Sequence, residues 1–473
     1  MEGRECNMSN YYSAPNVSTV GKEINSDSAR DYFKQLLNKS YNRHTLTTDD
    51  AIAIASLASA IDEFLTGDET ERRAALTLRK NLHQIVRDSL WEKEKSGSQK
   101  NETKNSLSTL YTSDGKIAYL GTLLGSGGEG SVYKIPNMPG KVAKIFKATT
   151  RTEYMERKIE AIISNHIPSR LENILISTVP ETLLYDETDR FVGYVMPWIP
   201  TKFKLYDVTR DSSTRKKYFP ELDYKGLIII AYNLAEVVNC LHEHAVVVGD
   251  LNYHNIVVNP DGTVCLIDTD SYDIVDKKTS EHFPCVVGVQ EMLAPELQTV
   301  SYLKDGEFSK ETDLFSLAIL IFRLLMSNAD PFGGILTTNI SASEIAANDS
   351  IINGECPYVR EIEGKKVPDW APSFDILPKY IQELFIRVFD YTSDTYRTQI
   401  GKRPTAKEWM EALMRYYNEP LKRCEADLFH WYRPDLVECP FCSKINIPLP
   451  AKRSDTKKSG LIEHSKGIIT VEI

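Results

Sequence analysis

The chain has 473 residues, 26% of them charged, with a formal net charge of −10. It is long enough for several buried cores, and its acidic surplus argues against nucleic acid or an anionic membrane surface as main partner. Eight cysteines in a long chain whose first residues, MEGRECNMSN, lack the apolar core of a signal peptide point to reduced thiols or metal ligands, hence to the cytoplasm.

Residues 1–27 are polar and patternless and read as a flexible terminus. Over 28–95 the pattern turns helical: Ile54, Ala58, Ile61 and Leu65 recur at helical spacing, as do Leu78, Leu82, Ile85 and Leu90. Nothing in that region carries chemistry, and a small helical bundle for packing accounts for it. Residues 96–110 have linker composition. A larger domain is expected over 111–420, then a metal-binding segment over 421–447 and a polar tail over 448–473, in which Gly467–Ile473 could add a strand.

Gly125, Gly127 and Gly130 spell G-x-G-x-x-G, with Val132 two residues later. A dinucleotide fingerprint runs straight into a helix, whereas SVYKI after Gly130 is a β-type stretch. The glycines therefore belong to a strand–turn–strand hairpin whose backbone can lie close over phosphates. KVAKIF supplies a third strand carrying Lys144. A lysine in an apolar strand needs an anion, and phosphate oxygens would serve. Thr152–His166 is helical by periodicity, and Glu156 and Glu160 share a face. Either could pair Lys144; Glu156 is preferred, because Ile159, Ile162 and Ile163 then lie near the face that packs on the sheet.

Phe191–Ile199 is an apolar strand ending in Pro-Trp-Ile-Pro, a stiff connector. Lys225–His244 is a long amphipathic helix; its most apolar window, Leu227–Val238, is interrupted by Asn233 and Glu236 and is too short for a membrane span. His242 and His244 in LHEH do not form H-E-x-x-H, which excludes that zinc-protease pattern. Val246–Asp270 follows as an apolar strand, a polar loop, and a strand pair closed by Pro-Asp-Gly. Asp250 and Asn255 lie five apart, and Asp268 follows Asn255 by thirteen residues. A carboxylate to take a hydroxyl proton, with an amide and a carboxylate to hold magnesium, are what phosphoryl transfer requires. Further helices are expected from Asp313 in TDLFSLAILIFRLL, over Lys379–Tyr391 and over Thr405–Tyr417. Near the C-terminus, Cys424, His430, Cys439 and Cys442 place three thiolates and an imidazole within nineteen residues. That set closes a tetrahedral zinc shell and leaves no position for water, so the zinc would be structural.

In this order the motifs resemble the eukaryotic-like (Hanks-type) protein kinases, in a divergent bacterial branch with G-D-L-N and D-x-D motifs. The resemblance implies an α+β bilobal protein-kinase fold, a small antiparallel β lobe and a larger, mainly α lobe, flanked by the N-terminal helical region and the C-terminal zinc-binding segment. It implies ATP with magnesium or manganese as cofactors, and transfer to Ser or Thr hydroxyls of a protein substrate in bacterial signalling. Gly125, Gly127, Gly130 and Val132 would cover the phosphates, Lys144 with Glu156 would hold them, and Met196 falls at the gatekeeper position. The carbonyl of Pro197 and the amide of Ile199 would meet the adenine edge. Asp250 takes the catalytic-loop place, and Asn255 and Asp268 the metal places. Ala294-Pro295-Glu296 closes the activation segment, with Arg403 as partner of Glu296 and Asp313 as an anchor. The departures are Gly249 for the arginine of H-R-D, Asp268-Thr269-Asp270 for D-F-G, Asn252 for a lysine and Val289 for a threonine. They bear on rate and hydroxyl specificity more than on nucleotide binding. The alternative is a pseudokinase, a nucleotide-binding regulatory or scaffold module read by a protein partner.

Overall fold

The computed structural model describes residues 109–442, apart from 201–202, 211, 300–302, 304–305, 337–346 and 392–400, together with 461–462 and 470–471. The helices expected over 28–95 and the segments on either side of them up to residue 108 lie outside the described residues.

The N-terminal part is a seven-stranded antiparallel sheet. Strands β1 (Thr109–Thr112), β2 (Ile117–Tyr119), β3 (Leu123–Ser126), β4 (Gly130–Lys134) and β5 (Lys141–Phe146) precede helix α1 (Glu153–Ser164). A two-residue hairpin, β6 (Arg170–Leu171) and β7 (Ile174–Leu175), then leads to β8 (Thr182–Tyr185) and β9 (Phe191–Pro197). The order across the sheet is β2-β1-β8-β9-β5-β4-β3. The central strands β5 and β9 are apolar and buried on both faces, as β-branched and aromatic runs favour. Side chains alternate across a strand, so Ala143 and Ile145 join Leu110, Val192 and Val195 in a core on one face. Phe146 joins Tyr194, Ile159 and Ile162 on the other, and Lys144 lies on that face too. Helix α1 begins at Thr152, whose hydroxyl caps the Met155 amide, and its apolar stripe seats it against β8 and β9.

The C-terminal part is mainly helical: α2 (Leu205–Arg210), α3 (Ser212–Tyr218), α4 (Tyr224–Glu243), α5 (Pro295–Gln298), α6 (Lys310–Leu325), α7 (Ala347–Ile352), α8 (Lys379–Phe389) and α9 (Ala406–Asn418). Short antiparallel pairs interrupt it: β10 (Ile256–Val258) with β11 (Val264–Leu266), β12 (Ile274–Val275) with β13 (His282–Phe283), and β14 (Ile335–Leu336) with β15 (Lys365–Lys366). Two more pairs close the chain, β16 (Lys422–Arg423) with β17 (Trp431–Tyr432), and β18 (Leu461–Ile462) with β19 (Thr470–Val471). Helix α4 has the length and apolar composition of a membrane span, more than its interrupted apolar window suggested, but most of it is buried within the lobe. It packs against α6 and α9. Capping boxes at Ser309 and Thr405 start α6 and α9. Phe322, Phe385, Phe389 and Trp409 fill the centre with edge-on and stacked rings. The expected Arg403–Glu296 pair is made, bidentate at 2.6 and 2.9 Å, and ties α5 to the segment before α9.

Candidate active site

The loop after α4 is suspended from one buried carboxylate. Asp313, fully buried in the first turn of α6, accepts the amides of Val248 (2.7 Å) and Gly249 (2.9 Å) and meets His242 Nε2 at 3.0 Å. Gly249 has φ +73°, and a Cβ there would lie 2.5 Å from Cys285 Sγ. No larger residue fits this turn while Cys285 fills the space beside it. The suspended loop presents Asp250, whose Oδ1 accepts from Asn252 Nδ2 and Oδ2 from Asn255 Nδ2, both at 2.9 Å. Burial pushes the Asp250 carboxyl above the ordinary range, and the charge of Asp268 adds to this; the Asn252, Asn255 and Val289 donors offset part of it.

The β10–β11 hairpin sets the next two residues. Its register pairs Ile256 with Leu266, and Ile267 N donates to Asn255 O at 2.9 Å, so Asn255 and Asp268 leave the same end of the hairpin. The Asn255 amide nitrogen also donates to Asp250 O at 3.2 Å. Its Oδ1 has no protein partner among the described residues. Asp268 sits in the left-handed region (φ +66°) with its side chain 48% exposed. One free amide oxygen and one open carboxylate at the end of a hairpin are the hard oxygen donors that magnesium takes. Lys144 comes down from β5 to meet them, with Nζ 2.5 Å from Asp268 Oδ1 and 2.7 and 2.8 Å from the two oxygens of Asp270. Burial opposes the Lys144 charge, but Asp270 and Asp268 outweigh it and hold the ammonium well above its ordinary pKa.

Above the lysine, the β3–β4 turn carries the glycines. Gly130 is needed by the sheet itself, since a Cβ there would meet Ile145 O at 2.5 Å. A Cβ on Gly125 would touch nothing, and one on Gly127 only the Gly130 carbonyl at 4.0 Å. The sheet therefore does not demand glycine at these two positions, whereas a triphosphate drawn up against the turn would.

A protein kinase domain model matches residues 119–413. The chain belongs to the protein kinase family. It is 31% identical over 339 residues to Protein kinase YegI of Escherichia coli strain K12, covering 71% of this chain and 50% of that one. It is 32% identical over 340 residues to the protein of the same name from Escherichia coli O157:H7, covering 72% and 50%. The chain thus spans about half the length of the curated relatives it matches. The bilobal kinase fold, in a divergent bacterial Hanks-type member, is the architecture described above.

One expected contact is not made. Glu156 does not pair Lys144; it accepts a hydrogen bond from Tyr185 OH at 2.9 Å, and Glu160 is exposed on α1. The inward face of the helix instead carries Lys158, which is 5% exposed. Burial lowers the Lys158 pKa, against the pull of the charges of Cys285, Asp270, Asp273 and Glu129. Burial likewise lowers the pKa of a third lysine, Lys204, against the pull of Asp268 and Asp207. Neither lysine was singled out from the sequence, because isolated lysines in polar patterns carry no spacing signal. Met196 and Pro197 end β9, and the Trp198 amide between Pro197 and Ile199 is taken by Gly140 O at 2.9 Å.

With Asp250 as the base proposed below, its raised pKa is expected to make activity fall at a higher pH on acidification than an ordinary carboxylate would. Asn252→Lys puts a cation where the amide now sits, and the acid limb of the kcat/KM profile is expected to move down by about one pH unit or more. An unmoved limb would show that another group titrates there.

The four C-terminal candidates converge. Cys424 Sγ lies 3.6 Å from Cys442 Sγ, and His430 Nδ1 lies 3.3 Å from Cys442 Sγ and 3.6 Å from Cys439 Sγ. A tetrahedron built on ordinary zinc bond lengths has edges of about 3.5–3.8 Å. Asp427 Oδ2 stands 3.6 Å from the far nitrogen of His430, where such ligands commonly keep a carboxylate.

Proposed function

We propose that this chain is an ATP- and magnesium-dependent protein kinase that phosphorylates Ser or Thr hydroxyls of protein substrates in bacterial signalling. The observation that carries the reading is the meeting of Asp250, Asn255, Asp268 and Lys144 at one end of the β10–β11 hairpin, under a turn whose outer glycines have open space above them. Asp250 orients the substrate hydroxyl and accepts its proton. Lys144 holds phosphate oxygens. Asn255 and Asp268 would hold the metal, which, when bound, neutralises charge developing on the transferred group. The YegI proteins carry the name protein kinase, which supports the same reading.

The four-ligand cluster supports a structural zinc, and the free thiols of the described cysteines suit the reducing cytoplasm. The neutral Asn252 beside Asp250 favours the second reading, a nucleotide-binding module without transfer. The chain, incubated with γ-labelled ATP, magnesium and a mixed peptide substrate, should yield labelled phosphoserine or phosphothreonine. Label on tyrosine alone would overturn the Ser/Thr assignment, and ATP bound without transfer would favour the module.

A further inference from the structure

Two buried residues of opposite charge stand on the reverse of the expected sides. In this family the strand lysine is held by a glutamate of the helix after it. Here α1 offers Lys144 no carboxylate: Glu156 is engaged by Tyr185, and Lys158 occupies the buried face. The carboxylate comes instead from Asp270, whose side chain is 1% exposed and grips Lys144 Nζ with both oxygens at 2.7 and 2.8 Å. Tyr194 OH donates to Asp270 Oδ1 at 3.1 Å from β9. Tyr194 and Lys144 face each other across the β5–β9 pairing, so the strand that carries the lysine and its neighbour both hold Asp270.

We propose that Asp270 is the positioning residue for Lys144 in this kinase. The inference rests on the kinase reading above. Lys144 touches two carboxylates of unlike exposure: Asp268 is half open and Asp270 is closed. When Asp268 turns to a metal, Asp270 cannot follow into solvent and stays on the lysine, leaving the ammonium aimed at the phosphates. A buried carboxylate needs more than one compensating group. Tyr194 supplies a hydrogen bond beside the Lys144 ammonium, so both partners of Asp270 come from the central strands. A lysine whose partner sits next to the metal aspartate does not require α1 to swing in, whereas the helix-borne glutamate does.

Two variants test this: Asp270→Asn and Glu156→Gln. Melting curves check that each is folded; ATP affinity is titrated directly, and kcat and KM for ATP are measured separately. Asp270→Asn is expected to lower kcat/KM for ATP by about 10–100-fold, the range for groups that orient a working residue, with KM for peptide unchanged. A merely structural role for Asp270 would not confine the loss to the nucleotide in this way. A larger loss in Glu156→Gln than in Asp270→Asn, or an equal loss toward ATP and peptide, would overturn the proposal. If wild type binds ATP but transfers nothing, the kinase reading falls by itself. The affinity titration then decides about Asp270: weakening of about tenfold in Asp270→Asn sustains the pairing, and unchanged binding ends it.

Discussion

Asp250→Asn is expected to lower kcat by about 10²–10⁴-fold, the span that a positioned general base contributes, while ATP affinity stays within about threefold of wild type. The contacts explain the split. Asp250 touches Asn252, Asn255 and the Val289 amide, all donors: Asn252 steadies the loop, Asn255 is the metal-site asparagine, and Val289 ties the carboxylate to the segment before α5. An asparagine keeps the shape but has one acceptor oxygen in place of two, and can satisfy Asn252 or Asn255 but not both. It also cannot take the proton. Lys144, Asp268 and the glycine turn are left in place, so the nucleotide still binds. Single-turnover transfer at saturating ATP, beside a direct affinity titration, checks both halves; a variant that loses affinity and rate together would show that Asp250 mainly holds the nucleotide site together.

Removal of the zinc proposed for the C-terminal cluster is expected to have the second large effect. The cluster segment is bound to the kinase core at several points. Trp431 Nε1 donates to Asp223 Oδ2 at 2.6 Å, while the other Asp223 oxygen caps the first turn of α4. The Tyr224 amide donates to Phe429 O at 2.9 Å, Lys216 pairs Asp427, and Arg433 donates to Leu377 O at 2.9 Å. Phe441 packs on Tyr224 with ring centroids 4.9 Å apart. Loss of that zinc would leave three thiols and an imidazole crowded together and free the segment that braces the start of the central helix. Structural zinc sites in small peptides are worth roughly 10–16 kcal/mol of apparent binding energy; here the core supplies part of that order already. Since each kcal/mol moves the melting point of a domain by roughly 2–4 °C, treatment with a strong chelator, or Cys439→Ser, should lower Tm by about 10 °C. Elemental analysis should find one zinc per chain. A chain that purifies without zinc and melts unchanged in chelator would refute the site.

What the sequence disclosed and what it hid divide along contact distance. Asn255 and Asp268 are thirteen residues apart and are joined by one hairpin with a Pro-Asp-Gly turn, so local pattern sufficed to bring them together. The glycine turn and the strand of Lys144 were legible for the same reason, as were the four ligands near the C-terminus. The Lys144 partner was not. It depends on how α1 rotates on the sheet and on a residue 126 positions away. Helical periodicity put Ile159 and Ile162 inside, as they are, but it treats a lysine as an outward residue, and Lys158 lies within the buried stripe. Glu156 was preferred on that same face and went to Tyr185 instead. Gly249 was read as a lost arginine; the reason for glycine, a positive φ beside Cys285, joins positions 36 residues apart. The chemistry was written in short motifs, whereas its electrostatic support came from tertiary packing.

The most direct measurement is an experimental structure of the chain with magnesium and a non-hydrolysable ATP analogue. One metal is expected within about 2.0–2.1 Å of Asn255 Oδ1 and an Asp268 oxygen, with Lys144 on the phosphates and still paired to Asp270. A nucleotide seated elsewhere, or a metal that meets neither Asn255 nor Asp268, would contradict this placement.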